Sequence, residues 1–277
     1  MKGLAMNRNV FVVFVMSAII FTSGCISMAN EKYTKEVNLT IPAAQAESFK
    51  AETHNGNIKV EGSQTTICNL TATIVAKADT EEAAQKIAEQ VKIELVPEGN
   101  SINVRIEKPS VSGFANVSVS LDANLPAGMN LSLKTHNGKI NSSNIIGTIK
   151  ANTHNGKITV AGAAGGADLL THNGKIKYTG TLADLKFETH NGDADITCTA
   201  QSSTPCDISG KTHNGSISFT APENFSAAID LSAHSGSIRV DLPVTVTEKS
   251  EERLKGTIGD GRDKLCLKTH NGSIKIK

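Results

Sequence analysis

From residue 129 to the C-terminus, apolar side chains recur at every second position, in short bursts on either side of a four-residue polar break, Thr-His-Asn-Gly. With the Thr as position 0, positions −4 and −2 are apolar or small. Examples are Leu131 and Leu133, Ile149 and Ala151, Leu185 and Phe187, Leu265 and Leu267. Positions −3 and −1 are usually polar, as in Ser132 and Lys134 or Lys150 and Asn152. Past the Gly, positions +5 and +7 are apolar again: Ile158 and Val160, Ile176 and Tyr178, Ile217 and Phe219, Ile274 and Ile276. A period of two marks a strand with one buried face, so each break joins two half-buried strands. The phase turns the Thr inward and the His outward.

The break begins at Thr53, Thr135, Thr153, Thr171, Thr189, Thr212 and Thr269, with a degenerate copy at Ala233-His234-Ser235-Gly236. All 8 histidines fall in these copies. The copies from Thr135 to Thr189 are 18 residues apart. The longer steps to Thr212 and Ala233 read as insertions, and the 36-residue step to Thr269 as two periods with a lost copy near residue 251. The turn residues are Asn55-Gly56, Asn137-Gly138, Asn155-Gly156, Asn173-Gly174, Asn191-Gly192, Asn214-Gly215 and Asn271-Gly272. Asn-Gly commonly supplies positive φ at a sharp turn, which places Gly156 and Gly174 in left-handed positions.

Two mainly-β architectures fit. In a β-solenoid (β-helix), each repeat of about 18 residues is one coil and equivalent residues stack one strand spacing apart, about 4.8 Å. In an antiparallel hairpin meander, each Asn-Gly is a hairpin tip. The solenoid accounts for more, because a hairpin has no use for the same His every time, whereas stacked identical Asn side chains form hydrogen-bonded ladders.

Ahead of the repeats the pattern changes. Ile67 to Ala76 alternates as a strand. Asp79-Thr80-Glu81-Glu82 forms a capping box before an amphipathic helix with Ala84, Ile87, Ala88 and Val91 on one face. Further strands are predicted at 91–96, 102–106 and 117–125. Residues 37–128 thus form a small α+β section that caps the solenoid of residues 129–277, as a terminal coil requires.

The first 24 residues read as a signal peptide. Lys2 and Arg8 precede the 12-residue apolar run from Val10 to Phe21, which is too short to span a bilayer. Thr22-Ser23-Gly24-Cys25 resembles a lipobox, although Thr22 departs from the usual Leu. This makes Cys25 the acylated N-terminus, followed by a tether over 25–36 and an extracytoplasmic, lipid-anchored address. Ile26 in place of Asp makes the outer membrane the default in a Gram-negative host.

Composition narrows the partners. With 28 basic against 27 acidic residues, nothing favours nucleic acid. There is no Trp, and 2 Tyr leave little for stacking on sugars. Of the cysteines beyond Cys25, Cys198 and Cys206 flank a turn-rich stretch and could form a disulfide, or both could remain buried thiols.

The arrangement resembles the bacterial and archaeal "putative adhesin" family of β-strand-repeat domains of unassigned function. The resemblance rests on Leu125-Pro126-Ala127-Gly128 leading into Leu131–Ile140, and on Ile258-Gly259-Asp260-Gly261 followed by Leu267–Ile274. It spans about residues 37–277. It implies surface attachment and brings no catalytic residues; the repeated His is a departure from the family's usual small polar residue.

No catalytic constellation or cofactor motif is evident. Asp193 and Asp195 share a strand face, which as a third reading would suit a polysaccharide-acting enzyme, but they read as solvated surface charge. The main expectation is a non-enzymatic envelope module that presents the repeat to an envelope protein or surface ligand. The alternative is a divalent transition metal (Zn, Cu or Ni) held by His136, His154, His172 and His190 on one outer face.

Overall fold

A computed structural model describes residues 31–110 and 115–277. The expected signal peptide and the expected acylation site, Cys25, lie outside these residues. The described chain is mainly β, with two long sheets, one of 11 strands and one of 12, enclosing the core between them.

Each repeat contributes one strand to each sheet. In the 12-stranded sheet, Asn130–Asn137, Ile149–Asn155, Ala167–Asn173, Leu185–Asn191 and Asp207–Asn214 lie parallel in an unbroken row. Their register aligns Thr135, Thr153, Thr171, Thr189 and Thr212. After the turn, Ile140–Ser143, Ile158–Ala163, Ile176–Thr181, Ala194–Ala200 and Ile217–Thr220 do the same in the other sheet. Parallel, in-register pairing makes this a β-solenoid and rules out the hairpin meander. Alternation places the apolar positions in the core as expected: Leu133, Ala151, Leu169 and Phe187 from one sheet and Ile140, Ile158, Ile176 and Ala194 from the other are buried.

The N-terminal section is α+β, with two departures from expectation. Ser48–Asn55 and Ile58–Ser63 form a true coil, with Thr53 in register with Thr135, so the repeat begins inside the section expected to be only a cap. Part of the expected tether is also structured, because Glu31–Pro42 is a strand paired along its length with Ile67–Ala78. Ile67–Ala78 and Asn116–Pro126 pair antiparallel and extend the 11-stranded sheet past this coil. The hairpin Lys92–Glu98 and Ser101–Glu107 extends the other. The helix Glu81–Gln90 packs on Glu31–Pro42 and Ile67–Ala78 through Ala84 and Ala88. Thr80 caps it, its hydroxyl accepting from the Ala83 amide at 3.2 Å.

The C-terminal end corrects the reading of the 36-residue step. No coil near residue 251 has lost its signature. The chain leaves Asp207–Asn214 and skips one position in the sheet to form Ala227–Ser235. It then folds back as the antiparallel strands Thr245–Lys249 and Arg253–Ile258, and re-enters as Asp263–Asn271 in the skipped position. His270 therefore lies between His213 and His234. The antiparallel pair covers the last edge of the 12-stranded sheet, while the 11-stranded sheet ends in the short parallel strand Ile238–Val240.

The glycines correct a second expectation. Gly156 and Gly174 lie outside the left-handed region, and no Asn of the repeat has positive φ. Glycine is required because the coils meet there. A Cβ on Gly156 would lie 1.9 Å from the Gly138 carbonyl oxygen, and one on Gly174 would lie 1.9 Å from that of Gly156.

Candidate functional site

Each residue of the repeated tetrapeptide builds a column along one corner of the solenoid. The Thr is buried, and its hydroxyl donates to the Gly carbonyl of the neighbouring coil: Thr135 to Gly56, Thr153 to Gly138, Thr171 to Gly156 and Thr189 to Gly174, at 2.9–3.0 Å. This gives each of those carbonyl oxygens a partner on the neighbouring coil. The Asn side chains form a ladder of amide-to-carbonyl bonds at 2.7–2.8 Å from Asn55 to Asn271. The Gly admits the next coil. The His carries no structural bond of this kind and stands on the outer face.

The histidines form one continuous stack. In spatial order it runs His54, His136, His154, His172, His190, His213, His270 and His234, with ring centroids 4.7–4.8 Å apart and planes within 11° of parallel. The four expected residues are therefore brought together, and four more join them. His54 and His213 were legible from the same register, whereas the places of His270 and His234 depend on the non-consecutive strand order. Parallel stacking limits what the column can ligate. Ring nitrogens bind metals along lone pairs in the ring plane at about 2.0–2.1 Å. Stacked parallel rings aim those lone pairs side by side, not at one point. Among the described residues no three His, Cys, Asp or Glu side chains form a group able to hold a metal ion.

Two rows border the stack. On the same face, at position −1, lie Glu52, Lys134, Asn152, Leu170, Glu188, Lys211 and Lys268. Within that row Lys134 pairs with Glu52 at 2.8 Å and Lys211 with Glu188 at 3.7 Å. Shallow hollows lie between row and stack, one lined by Leu170, Glu188, His154, His172 and His190. Past the Asn ladder, position +4 carries a run of lysines on consecutive coils, Lys139, Lys157 and Lys175. The expected acidic pair is occupied with neighbouring coils. Asp195 pairs with Lys175, and Asp193 accepts the Ser216 amide at 2.9 Å.

His213 titrates below its usual range. Partial loss of hydration is the first cause, followed by the positive charge of His190, His270 and Lys211. The unfolded chain therefore takes up a proton at this position more readily than the folded one. Stability from this group is complete above a pH of about 6.5 and is lost as the pH falls below it. We expect a lower melting temperature at pH 5 than at pH 8, and a smaller gap in His213→Asn. An equal gap in the two proteins would show that the column does not oppose protonation at this position.

The expected disulfide is not formed in this structure: Cys198 and Cys206 are free, buried thiols. Burial pushes Cys198 up to about 12 and raises Cys206. The loop between them is held instead by the fully buried Asp263, which accepts from the Cys206 amide at 2.9 Å and from Gln201 Nε2 at 3.0 Å. Cys206 Sγ donates to the Thr204 carbonyl at 3.3 Å.

The stacked-coil geometry agrees with the comparison that decides the family, in which the Toastrack DUF4097 model matches residues 11–277. The chain belongs to the Toastrack DUF4097 family. Several solved structures resemble this Toastrack chain remotely. A "putative adhesin" from Bacteroides fragilis NCTC 9343 is 14% identical over 88% of this chain and 97% of its own, with a TM-score of 0.43. A "putative cell adhesion protein" from Clostridium sporogenes ATCC 15579 is 12% identical over 88% and 99%, with a TM-score of 0.36. A "putative lipid binding protein" from Parabacteroides distasonis ATCC 8503 is 14% identical over 89% and 97%, with a TM-score of 0.27. No curated protein matches the Toastrack chain.

Proposed function

We propose that this Toastrack chain is a non-enzymatic, extracytoplasmic binding module, held on the cell envelope by acyl chains on Cys25, that presents its repeated corner to a surface ligand. The observation that carries this reading is the continuous stack of eight outward imidazoles. The Thr and Asn ladders and the Gly contacts all serve the coil itself. The His is the member of the tetrapeptide that the coil does not need, and it is the one displayed. A face built by repetition suits an extended partner better than a small substrate, which calls for a concave pocket with converging groups. The acidic pair Asp193 and Asp195 is occupied by Ser216 and Lys175, which leaves no free couple for acid–base work there.

Two measurements test this. In the first, Cys25→Ser should move the protein from the membrane to the soluble extracytoplasmic fraction, because the mature chain would no longer begin with an acylated residue. Retention in the membrane would overturn the anchor. In the second, labelled protein added at pH 7.5 to intact cells lacking the chromosomal copy should bind saturably. Absence of saturable binding would overturn the surface-module reading.

A further inference from the structure

The repeated corner combines a column of groups that gain positive charge with a shortage of negative charge to receive it. The stack sets eight imidazoles 4.7–4.8 Å apart. Each protonated ring would have positive neighbours one strand spacing away on either side. The carboxylates beside the column do not offset this. Glu52 is paired with Lys134, and Glu188 with Lys211. Asn152 and Leu170, between them in the same row, carry no charge, and Lys268 adds positive charge. At the far end His234 Nδ1 has a carboxylate of its own, Glu252 at 3.1 Å. Across the Asn ladder, Lys139 and Lys157 add further positive charge. Lys175 is already paired with Asp195, and Asp193 is the acidic member of that row. From His136 to His213 the protein therefore lacks the counter-charge that a protonated column needs.

The missing counter-charge must be extended and periodic. The hollows along the corner are shallow and open, as suits a strip and not a compact anion. The strip's period is the strand spacing, and a linear polyuronate carries one carboxylate per sugar ring at a comparable advance per residue. Leu170 is 40% exposed in the middle of the strip, at a position held by polar residues on the adjacent coils. It offers an apolar contact for the C–H face of a sugar, which a polyphosphate chain could not use.

Resting on the reading of the chain as a binding module, we propose that the histidine column and the lysines across the Asn ladder form a binding strip for a linear polyanionic glycan. The glycan lies along the solenoid axis and is held more tightly as the imidazoles protonate. No covalent step is involved. The carboxylates of such a glycan stay ionised at pH 5, because their ordinary range lies near that of a free carboxyl group. The imidazoles become charged over the interval in which the ligand does not, so acid strengthens attraction without weakening the ligand.

Polygalacturonate is the probe, with neutral dextran as control, and binding of the full chain in detergent is measured at pH 5 and pH 8. Polygalacturonate should bind about tenfold or more tightly at pH 5 than at pH 8, weaken with added salt, and outcompete dextran at both. It should also raise the melting temperature at pH 5 more than at pH 8, a readout that needs no variant. His154→Asn/His172→Asn/His190→Asn should lose the pH dependence, provided its strand signal and melting at pH 5 show it folded. Lys139→Gln/Lys157→Gln should weaken binding at both pH values and leave their ratio unchanged. Equal affinity at the two pH values, or a ratio unaltered in the folded triple variant, would overturn the proposal. Equal tightening by inorganic polyphosphate would overturn the assignment to a glycan. Failure here with saturable attachment to cells intact would sink the glycan strip and leave the surface-module reading standing.

Discussion

Replacing Gly156 with Ala is expected to destabilise the solenoid by about 3 kcal/mol or more, through overpacking at a backbone contact that cannot move aside. The added Cβ would sit 1.9 Å from the Gly138 carbonyl oxygen and 2.6 Å from its carbon. To clear them the two coils must separate at the corner. That separation would strain the bond from Thr153 to the same Gly138 oxygen, 3.0 Å, and the Asn155–Asn137 rung, 2.8 Å. Backbone preference alone gives the opposite sign. Gly156 lies outside the left-handed region, and Ala at such a position ordinarily stabilises by about 0.4–1 kcal/mol through the unfolded chain. Gly99 separates the two effects. It has φ +58° and open space where a Cβ would point, so Gly99→Ala should cost only about 1 kcal/mol from the backbone. Urea unfolding of the two variants beside the parent measures this. A Gly156→Ala protein as stable as the parent would show that the coils do not meet where the structure places them.

Much of this fold was legible because its determinants are local and repeated. Alternation at Leu131, Leu133, Ile158 and Val160 fixed which face is buried. The identity of the tetrapeptide from coil to coil pointed to stacking, since only stacked copies give the Asn and His a use for their own kind. Gly156 and Gly174 were misread because Asn-Gly has two physical uses, positive φ and close approach, and the dipeptide does not say which applies; Gly56, Gly192, Gly215 and Gly272 of the same column do have positive φ. The deciding atom is the Gly138 carbonyl, a full coil away from Gly156 in sequence. The insertion of Asp263–Asn271 between Asp207–Asn214 and Ala227–Ser235 was hidden for a similar reason. Thirty-six residues is two periods by arithmetic, and periodicity carries no information on which neighbour a strand chooses. The His234–Glu252 pair follows from that same rearrangement, because the terminal hairpin brings residue 252 back beside the last coil.

Side-chain volume is also shared between coils, and its loss at Phe187 is the second large expected effect. At position −2, successive coils carry Leu133, Ala151, Leu169, Phe187 and Gly210 in register. Phe187 is buried and its ring lies over Gly210, so that a Cβ on Gly210 would fall 2.0 Å from the ring Cζ. The ring thus occupies the space of two side chains. Phe187→Ala should cost about 3–5 kcal/mol, since the bare glycine beside it cannot fill the void. Gly210→Ala alone should cost about 1–3 kcal/mol through overpacking against the ring. Combined with Phe187→Leu, which draws the side chain back, Gly210→Ala should cost much less than it does alone, because the clash and the void offset each other. A double-mutant cycle by urea unfolding gives the coupling directly. Additive effects of Phe187→Leu and Gly210→Ala would mean that the ring does not lie over Gly210. The pairing of the largest side chain of this row with the bare glycine beside it would then be coincidence and not the means by which unlike side chains keep the coils evenly spaced.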